Sequence, residues 1–357
     1  MDNLERRRQA VRKSLRKSET GGFLVTDIIN VRYLSGFTGS SAFLFITGDR
    51  NFFVTDFRYK EQAEREVPGW EIIIEKGNRM EVIENLVRKT TIGSLGFEPT
   101  VSYSFYRRLL KTCPILNDTE GLIEKIREIK DASELSKIRE AVRRAEKALL
   151  EVKPYIREGA VESSIAQRLE GRLKKLGCGR IPFDIIVASG ENSAMPHAKT
   201  TQRRFHKGDL ITIDWGGEAE GYFSDMTRTF LLSGGRDTGR KKEIYRTVLE
   251  ANRIAISRVS PGIGSKTIDR AARDCIREAG YEEFFGHGTG HGVGLQVHEA
   301  PRITWMEGTV LRNGMVFTIE PGIYIPGLGG VRIEDMVVVK NGKVEILTTL
   351  PKEIEVL

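Results

Sequence analysis

Polar and apolar positions divide this chain into short elements near its start and longer ones after about residue 133. Residues 1–20 read as a helix, and Gly22-Phe23-Leu24-Val25-Thr26 as a short strand ended by Asp27. Ser41–Thr47 and Asn51–Asp56 are β-rich runs around Gly48-Asp49-Arg50, which predicts a hairpin. A polar helical pattern opens at Asp56 and runs to about Glu66. A strand over Glu71–Ile74, a helix over Arg79–Lys89 and a strand over Ile92–Phe97 follow. Strands alternating with helices predict a small α/β domain.

The segment from Gly121 to about Ser133 is charged and helical, and the domain boundary falls here: residues 1–125, a linker over 126–133, and a second domain over 134–357. Ser133 and Glu134 start a long amphipathic helix to about Tyr155, ended by Gly159; a second helix runs from Glu162 to Leu176 and stops at Gly177. Strands are predicted at Phe183–Val187, Asp209–Trp215 and Gly221–Leu232, then helices at Lys241–Val259 and Lys266–Ala279. Strands return around 286–298, 315–319 and 330–339. This order of helix, helix, strands, stated twice, predicts two α/β halves built alike, without a sequence repeat, in an α/β (α+β) chain.

At 357 residues the chain is long for one core, which agrees with two domains. No segment approaches the roughly 18 apolar residues of a membrane span. The basic start, Met1 to Arg8, is followed by no apolar run and does not read as a secretory signal. Cys113, Cys178 and Cys275 are odd in number and form no CxxC pair. They predict a reducing, cytoplasmic setting and buried or inert thiols. The net charge is +7, but residues 1–20 hold seven Arg/Lys against three Asp/Glu, so most of the excess sits on one solvated basic helix, Leu4 to Lys17. No zinc-finger spacing, RNP-like segment or basic zipper appears, so neither nucleic acid nor membrane is expected as a partner.

Candidate chemistry concentrates in Gly286-His287-Gly288-Thr289-Gly290-His291-Gly292-Val293-Gly294-Leu295-Gln296-Val297-His298-Glu299. It holds three of the five histidines, and glycine takes every second place from 286 to 294. An extended strand would put His287, Thr289, His291 and Val293 on one face. Glycines in a strand weaken it, so the run requires a close approach of a ligand or another segment. Asp214 ends Leu210-Ile211-Thr212-Ile213-Asp214, and Asp225 precedes Met226-Thr227-Arg228-Thr229; Gly216, Gly217 and Gly221 allow a turn that pairs the two strands antiparallel. Glu320 ends Met315–Ile319 before Pro321-Gly322, and Glu334 follows Gly330-Val331-Arg332-Ile333. A carboxylate in an apolar strand is costly unless paired or bound to metal. Four of them cannot all stay ionised together without cations. With His291 they offer four oxygen-bearing groups and one nitrogen, a set that fits two divalent ions about 3.5–4 Å apart, manganese, cobalt or zinc rather than copper. His298-Glu299-Ala300-Pro301-Arg302 is not H-E-x-x-H, and no G-x-G-x-x-G, G-x-S-x-G or Walker motif occurs.

Met195-Pro196-His197, Asp214, Asp225-Met226-Thr227-Arg228-Thr229, Gly290-His291-Gly292-Val293-Gly294 with Val297-His298-Glu299, Glu320-Pro321-Gly322 and Arg332-Ile333-Glu334-Asp335 stand in the order of the M24 (creatinase/aminopeptidase) family. The chain resembles its proline-specific branch, the Xaa-Pro aminopeptidases and Xaa-Pro dipeptidases (prolidases), over nearly its whole length. Asn30-Val31-Arg32-Tyr33-Leu34-Ser35-Gly36-Phe37-Thr38-Gly39-Ser40 and Thr55-Asp56-Phe57-Arg58-Tyr59 look like that branch's N-terminal domain. The resemblance implies a creatinase-like α/β domain before a pita-bread catalytic domain with two divalent ions per chain, manganese first, then cobalt or zinc. It implies that Asp214 chelates one metal and His291 the other, that Asp225 and Glu334 bridge, and that Glu320 binds the His291 metal and accepts a proton. A metal-bridging hydroxide would attack the carbonyl before proline. His197 and His298 would contact the carbonyl or transfer protons, while His287, Tyr324 and Arg332 would line the substrate site.

Creatinase shares the fold without the metals, and methionine aminopeptidases usually lack the N-terminal domain. The compact N-terminal domain and Gly36–Ser40 look most like small bacterial aminopeptidase P-type proteins, which implies removal of the residue before proline from short proline-containing peptides. The alternatives are a dipeptidase acting only on dipeptides and a non-catalytic binding protein on the same fold. The resemblance also implies a homodimer.

Overall fold

The computed structural model describes residues 3–113, 115–306 and 308–357. Residues 1 and 2, part of the helix expected over 1–20, lie outside the described residues. The chain forms two compact units, Met1–Arg127 and Glu128–Leu357.

In the first unit, α1 (Asn3–Lys17) precedes β1 (Gly22–Val25), α2 (Ile28–Ser35), β2 (Ala42–Thr47), β3 (Asn51–Asp56), α3 (Lys60–Glu66), β4 (Glu71–Glu75) and α4 (Arg79–Thr90). Then come β5 (Leu95–Phe97), α5 (Tyr103–Leu109), β6 (Leu116–Asp118) and α6 (Leu122–Arg127). The strands form one mixed sheet in the order β4-β3-β2-β1-β5-β6. The expected hairpin pairs Leu44 with Phe53 and Phe45 with Phe52.

Two expectations change here. Asp27 does not merely end β1; its carboxylate caps α2 by accepting from Ile29 N at 2.7 Å, and Gly36 closes that helix at φ 83°. The basic helix α1 is not simply solvated either. Arg7 Nη1 donates to the Tyr33 carbonyl at 3.0 Å with its guanidinium over the Tyr33 ring, and Arg12 Nε donates to the Thr47 carbonyl at 3.1 Å. Arg8 lies over Trp70. Arginine stems cover apolar surface while the head groups satisfy carbonyls, so three of the basic residues act as packing groups.

The second unit opens with α7 (Ala132–Val152). Asp131 and Glu134 form a capping box: Asp131 Oδ1 accepts from Ser133 N and Glu134 N, and Glu134 Oε2 accepts from Asp131 N. Leu135, Ile138, Val142, Ala145, Leu149 and Val152 recur at helical spacing on the buried face. The helix stops short of Tyr155, because Pro154 lies in a 3₁₀ turn over Lys153–Tyr155. After α8 (Glu162–Lys175) come β7 (Ile186–Ser189), β8 (Leu210–Trp215), the two-residue strands β9 (Glu218–Ala219) and β10 (Tyr222–Phe223), and β11 (Met226–Leu231). The second helix pair is α9 (Thr238–Ser257) and α10 (Ser265–Glu278). Strands β12 (Gly290–Gly292), β13 (Glu299–Ile303), β14 (Val316–Ile319), β15 (Gly322–Ile325), β16 (Gly329–Arg332), β17 (Asp335–Lys340), β18 (Lys343–Ile346) and β19 (Glu355–Val356) complete the chain.

One sheet runs β19-β11-β8-β7 and another β13-β12-β14-β17-β18, so each helix pair is followed by a sheet, as the order of elements predicts. Ile244, Val248, Ile268, Ala272 and Ile276 of the second helix pair share a core with Phe317, Ile319, Val337 and Val339. The long strand expected over 286–298 is not one element: only Gly290–Gly292 is strand, and the chain bends before resuming pairing at Glu299. Cys113 and Cys178 are buried and Cys275 partly so, all free; burial pushes the Cys178 and Cys275 thiols up, away from reactive thiolates. No helix among the described residues is long and apolar enough to cross a membrane.

Candidate active site

Three strand regions of the second unit deliver the acidic side chains. β8 and β11 pair antiparallel with Asp214 opposite Thr227, which puts Asp214 beside Asp225 at the mouth of β11. Glu334 bridges to Thr227: its N–H donates to the Thr227 carbonyl at 3.2 Å, and Thr227 Oγ1 donates to Glu334 Oε2 at 2.8 Å. Glu320 follows β14, and its N–H donates to the Thr289 carbonyl at 2.8 Å. His291 lies in β12, its N–H donating to Thr318 Oγ1 at 3.1 Å. Its Nδ1 faces the Gly292 carbonyl at 3.1 Å, so Nδ1 carries the proton and Nε2 offers a lone pair. Nε2 lies 3.5 Å from Asp225 Oδ2 and 3.5 Å from Glu320 Oε1.

Three overlapping groups have donor atoms all within 4.8 Å of one another: Asp214, Asp225 and Glu334; His291, Glu320 and Glu334; and Asp225, His291 and His298. The structure thus brings together Asp214, Asp225, His291, Glu320 and Glu334. It adds His298, whose ring lies 4.2 Å from that of His291. Burial and the neighbouring Glu334, Asp214 and Glu320 drive the Asp225 carboxyl well above its usual range, and burial does the same to Glu334 with Glu320 and Asp214. Glu320 is pushed up to about 7, by burial first. Burial pulls His291 and His287 down to about 4, which keeps both rings neutral. Asp214 Oδ1 and Asp225 Oδ1 are buried and have no hydrogen-bond partner among the described residues. Buried carboxylate oxygens without donors, a crowd of acids and a neutral imidazole fit divalent cations, which would satisfy the orphaned oxygens and cancel the repulsion.

The remaining candidates surround this cluster. Arg332 Nη2 donates to Asp214 Oδ2 at 2.7 Å and Nη1 to Tyr324 Oη at 2.9 Å. His287 Nε2 lies 2.9 Å from Tyr324 Oη, and its Nδ1 lies 2.8 Å from the Gly288 carbonyl. A carbonyl can only accept, so His287 Nδ1 is protonated and Nε2 accepts from the tyrosine. His197 and His298 are exposed. The Pro196 carbonyl beside His197 accepts from Arg332 Nη1 at 3.1 Å.

The sequence reading missed Thr227 and Thr318, which hold Glu334 and His291. Each lies two residues from an acid, on the same face of its strand, and the period of two could have pointed to them. The glycines prove to admit backbone. A Cβ at Gly290 would stand 1.9 Å from the Thr318 carbonyl oxygen, and one at Gly292 would stand 2.2 Å from the Ala300 carbonyl oxygen. Gly290→Ala should therefore cost about 1–3 kcal/mol in chemical denaturation through overpacking. An unchanged midpoint would show that the two strands are not in this contact.

A carboxylate-rich centre with His291 and, beside it, His298, built from two sheets of the second unit, defines a metal-dependent hydrolytic class. Residues 136–341 match metallopeptidase family M24, and residues 7–129 match the creatinase/prolidase N-terminal domain. The chain belongs to metallopeptidase family M24, and it is a metallopeptidase of mixed α/β architecture with a creatinase-like N-terminal domain and a pita-bread C-terminal domain. It is similar to a Xaa-Pro dipeptidase of Pyrococcus horikoshii, 38% identical over 98% of this chain and 99% of that one. Among solved structures it is similar to a Xaa-Pro dipeptidase from Bacillus anthracis, with TM-score 0.96 and 39% identity over 99% of this chain and 100% of the other. An X-Pro aminopeptidase from Thermotoga maritima matches at TM-score 0.90 and 37% identity, over 100% of both chains.

Proposed function

We propose that this protein hydrolyses the bond before proline in short peptides, using two divalent ions per chain, with manganese as the native metal and cobalt or zinc as substitutes. The observation that carries this reading is the convergence of five ligand-type side chains around two carboxylate oxygens that lack partners. Asp214 would hold one ion and His291 with Glu320 the other, Asp225 and Glu334 lying between. Such ions lower the pKa of water towards neutrality and polarise a carbonyl oxygen.

The chain's own groups orient and move protons. Glu320 takes the proton of the attacking water, its Oε1 steadied by Thr318 Oγ1 at 3.5 Å. Arg332 fixes Asp214 and Tyr324, and Tyr324 in turn fixes the neutral His287. His298, clustered with Asp225 and His291, and the exposed His197 contact the scissile carbonyl and relay to the leaving nitrogen the proton that Glu320 has taken.

Dipeptides are the proposed primary substrates, supported by the names of two of the three relatives above. Removal of the first residue from longer peptides is the second reading. It is favoured by the likeness to the Thermotoga aminopeptidase over the whole chain. Protein stripped with a chelator should lose cleavage of Ala-Pro and regain it with Mn²⁺. The same preparation should cleave Ala-Pro faster than Ala-Pro-Ala. Preference for the tripeptide would establish the second reading, and failure to take up any divalent metal would sink both.

A further inference from the structure

The segment that carries His287 is bare on alternate positions, and Gly286 has open space around it. Backbone pairing begins only at Thr289, whose N–H donates to the Ile303 carbonyl at 2.8 Å, so residues 285–288 precede it. Glycine-rich backbone has much conformational freedom to lose, so His287 needs to be held from outside the segment.

We propose that Asp269 and Arg273, one turn apart on α10, are positioning residues that set His287 and Glu320; this rests on the peptidase reading above. Asp269 is fully buried. Its Oδ1 accepts from Thr289 N at 3.2 Å and from Thr289 Oγ1 at 2.8 Å. The carbonyl of the same Thr289 accepts the N–H of Glu320 at 2.8 Å. Arg273 completes the clamp: Nη2 and Nε donate to Asp269 at 3.1 and 3.2 Å, Nη1 to the Phe285 carbonyl at 2.9 Å, and Nη2 to the His287 carbonyl at 2.9 Å. The guanidinium is stacked 4.4 Å from the ring centres of Phe285 and Trp305. One ion pair on a helix therefore fixes residues 285, 287 and 289. Through Thr289 it also fixes the backbone of Glu320. Neither side chain touches the carboxylate cluster, so their effect passes through the groups they hold.

The test compares Arg273→Met, Arg273→Lys and Asp269→Asn with wild type, each loaded with Mn²⁺ and assayed where it is folded. Arg273→Met and Asp269→Asn should lower kcat for Ala-Pro roughly 10–100-fold with a smaller change in KM, and should weaken Mn²⁺ affinity in direct titration. Arg273→Lys should recover part of the loss, because an ammonium can keep the Asp269 pair but cannot span two carbonyls and both carboxylate oxygens. Arg277→Met, which removes an exposed pair with Asp274 on the same helix, should leave both readouts unchanged. Thr289→Val keeps the side-chain volume and removes only the hydroxyl bond, so it serves if the charge variants do not fold. Variants with wild-type kcat and Mn²⁺ affinity, whatever their melting temperature, would overturn the proposal. If wild type takes up Mn²⁺ but cleaves no Xaa-Pro peptide, the peptidase reading fails while the Mn²⁺ titration still judges the clamp. A wild type that takes up no Mn²⁺ overturns both.

Discussion

Glu320→Gln should reduce hydrolysis of Ala-Pro by roughly 10²–10⁴-fold, the usual worth of a positioned proton acceptor. The amide keeps the size and the backbone bond to Thr289, so the fold should survive. The effect on stability should have the opposite sign. In the metal-free protein burial lifts the Glu320 carboxyl to about 7, against the pull of Arg332 and with repulsion from Asp214 adding to it. A neutral amide relieves that repulsion, so the apo variant should melt no lower than wild type while being almost inactive. This combination separates a functional acid from a structural one. Measurement of kcat together with an apo melting curve checks it, and a variant with wild-type kcat would remove Glu320 from the chemistry.

Asp335→Ala should cost about 3–5 kcal/mol, because it strands the buried Arg228 cation and removes a partner of the half-buried Lys352. Arg228 is 3% exposed and donates to Asp335 Oδ1 at 2.8 Å, while Lys352 Nζ donates to Oδ2 at 2.6 Å. The same guanidinium reaches the carbonyls of Thr227, Glu334, Leu350 and Pro351. Losing its counter-ion should therefore loosen the strand that presents Glu334. In wild type, burial raises the Asp335 carboxyl, but Arg228 and Lys352 outweigh it and hold it below its usual range. A depressed folded pKa stabilises the protein above the unfolded value of about 3.9. That contribution is lost as pH falls further, through the folded value. Urea unfolding of wild type and variant at neutral pH measures the difference, and a change under about 1 kcal/mol would show that the cations find other partners.

The acids were legible because strand-end carboxylates in apolar runs are unusual, and because Asp214 and Asp225 flank a glycine turn that pairs their strands. His291 was legible from its glycines. Other features hid behind ordinary-looking sequence. Asp269 and Arg273 look like any i,i+4 ion pair on a helix surface, and only the packing of the 285–289 segment against α10 gives them a further use. Asp27 reads equally as the end of a strand and the cap of a helix, so α2 was overlooked. The arginines of α1 read as solvated charge, since sequence does not tell which guanidinium finds a carbonyl. The strand over 286–298 was overdrawn because alternation alone does not reveal the bend that carries His298 back beside His291.

The bare faces of Gly290 and Gly292 also act as a lock on alignment. A slip of β12 by one residue would drive the side chain of Thr289, His291 or Val293 into the carbonyl oxygens of Thr318 and Ala300, where not even a methyl group fits. The imidazole of His291 is thus assigned its place by exclusion, because every neighbouring register is sterically closed.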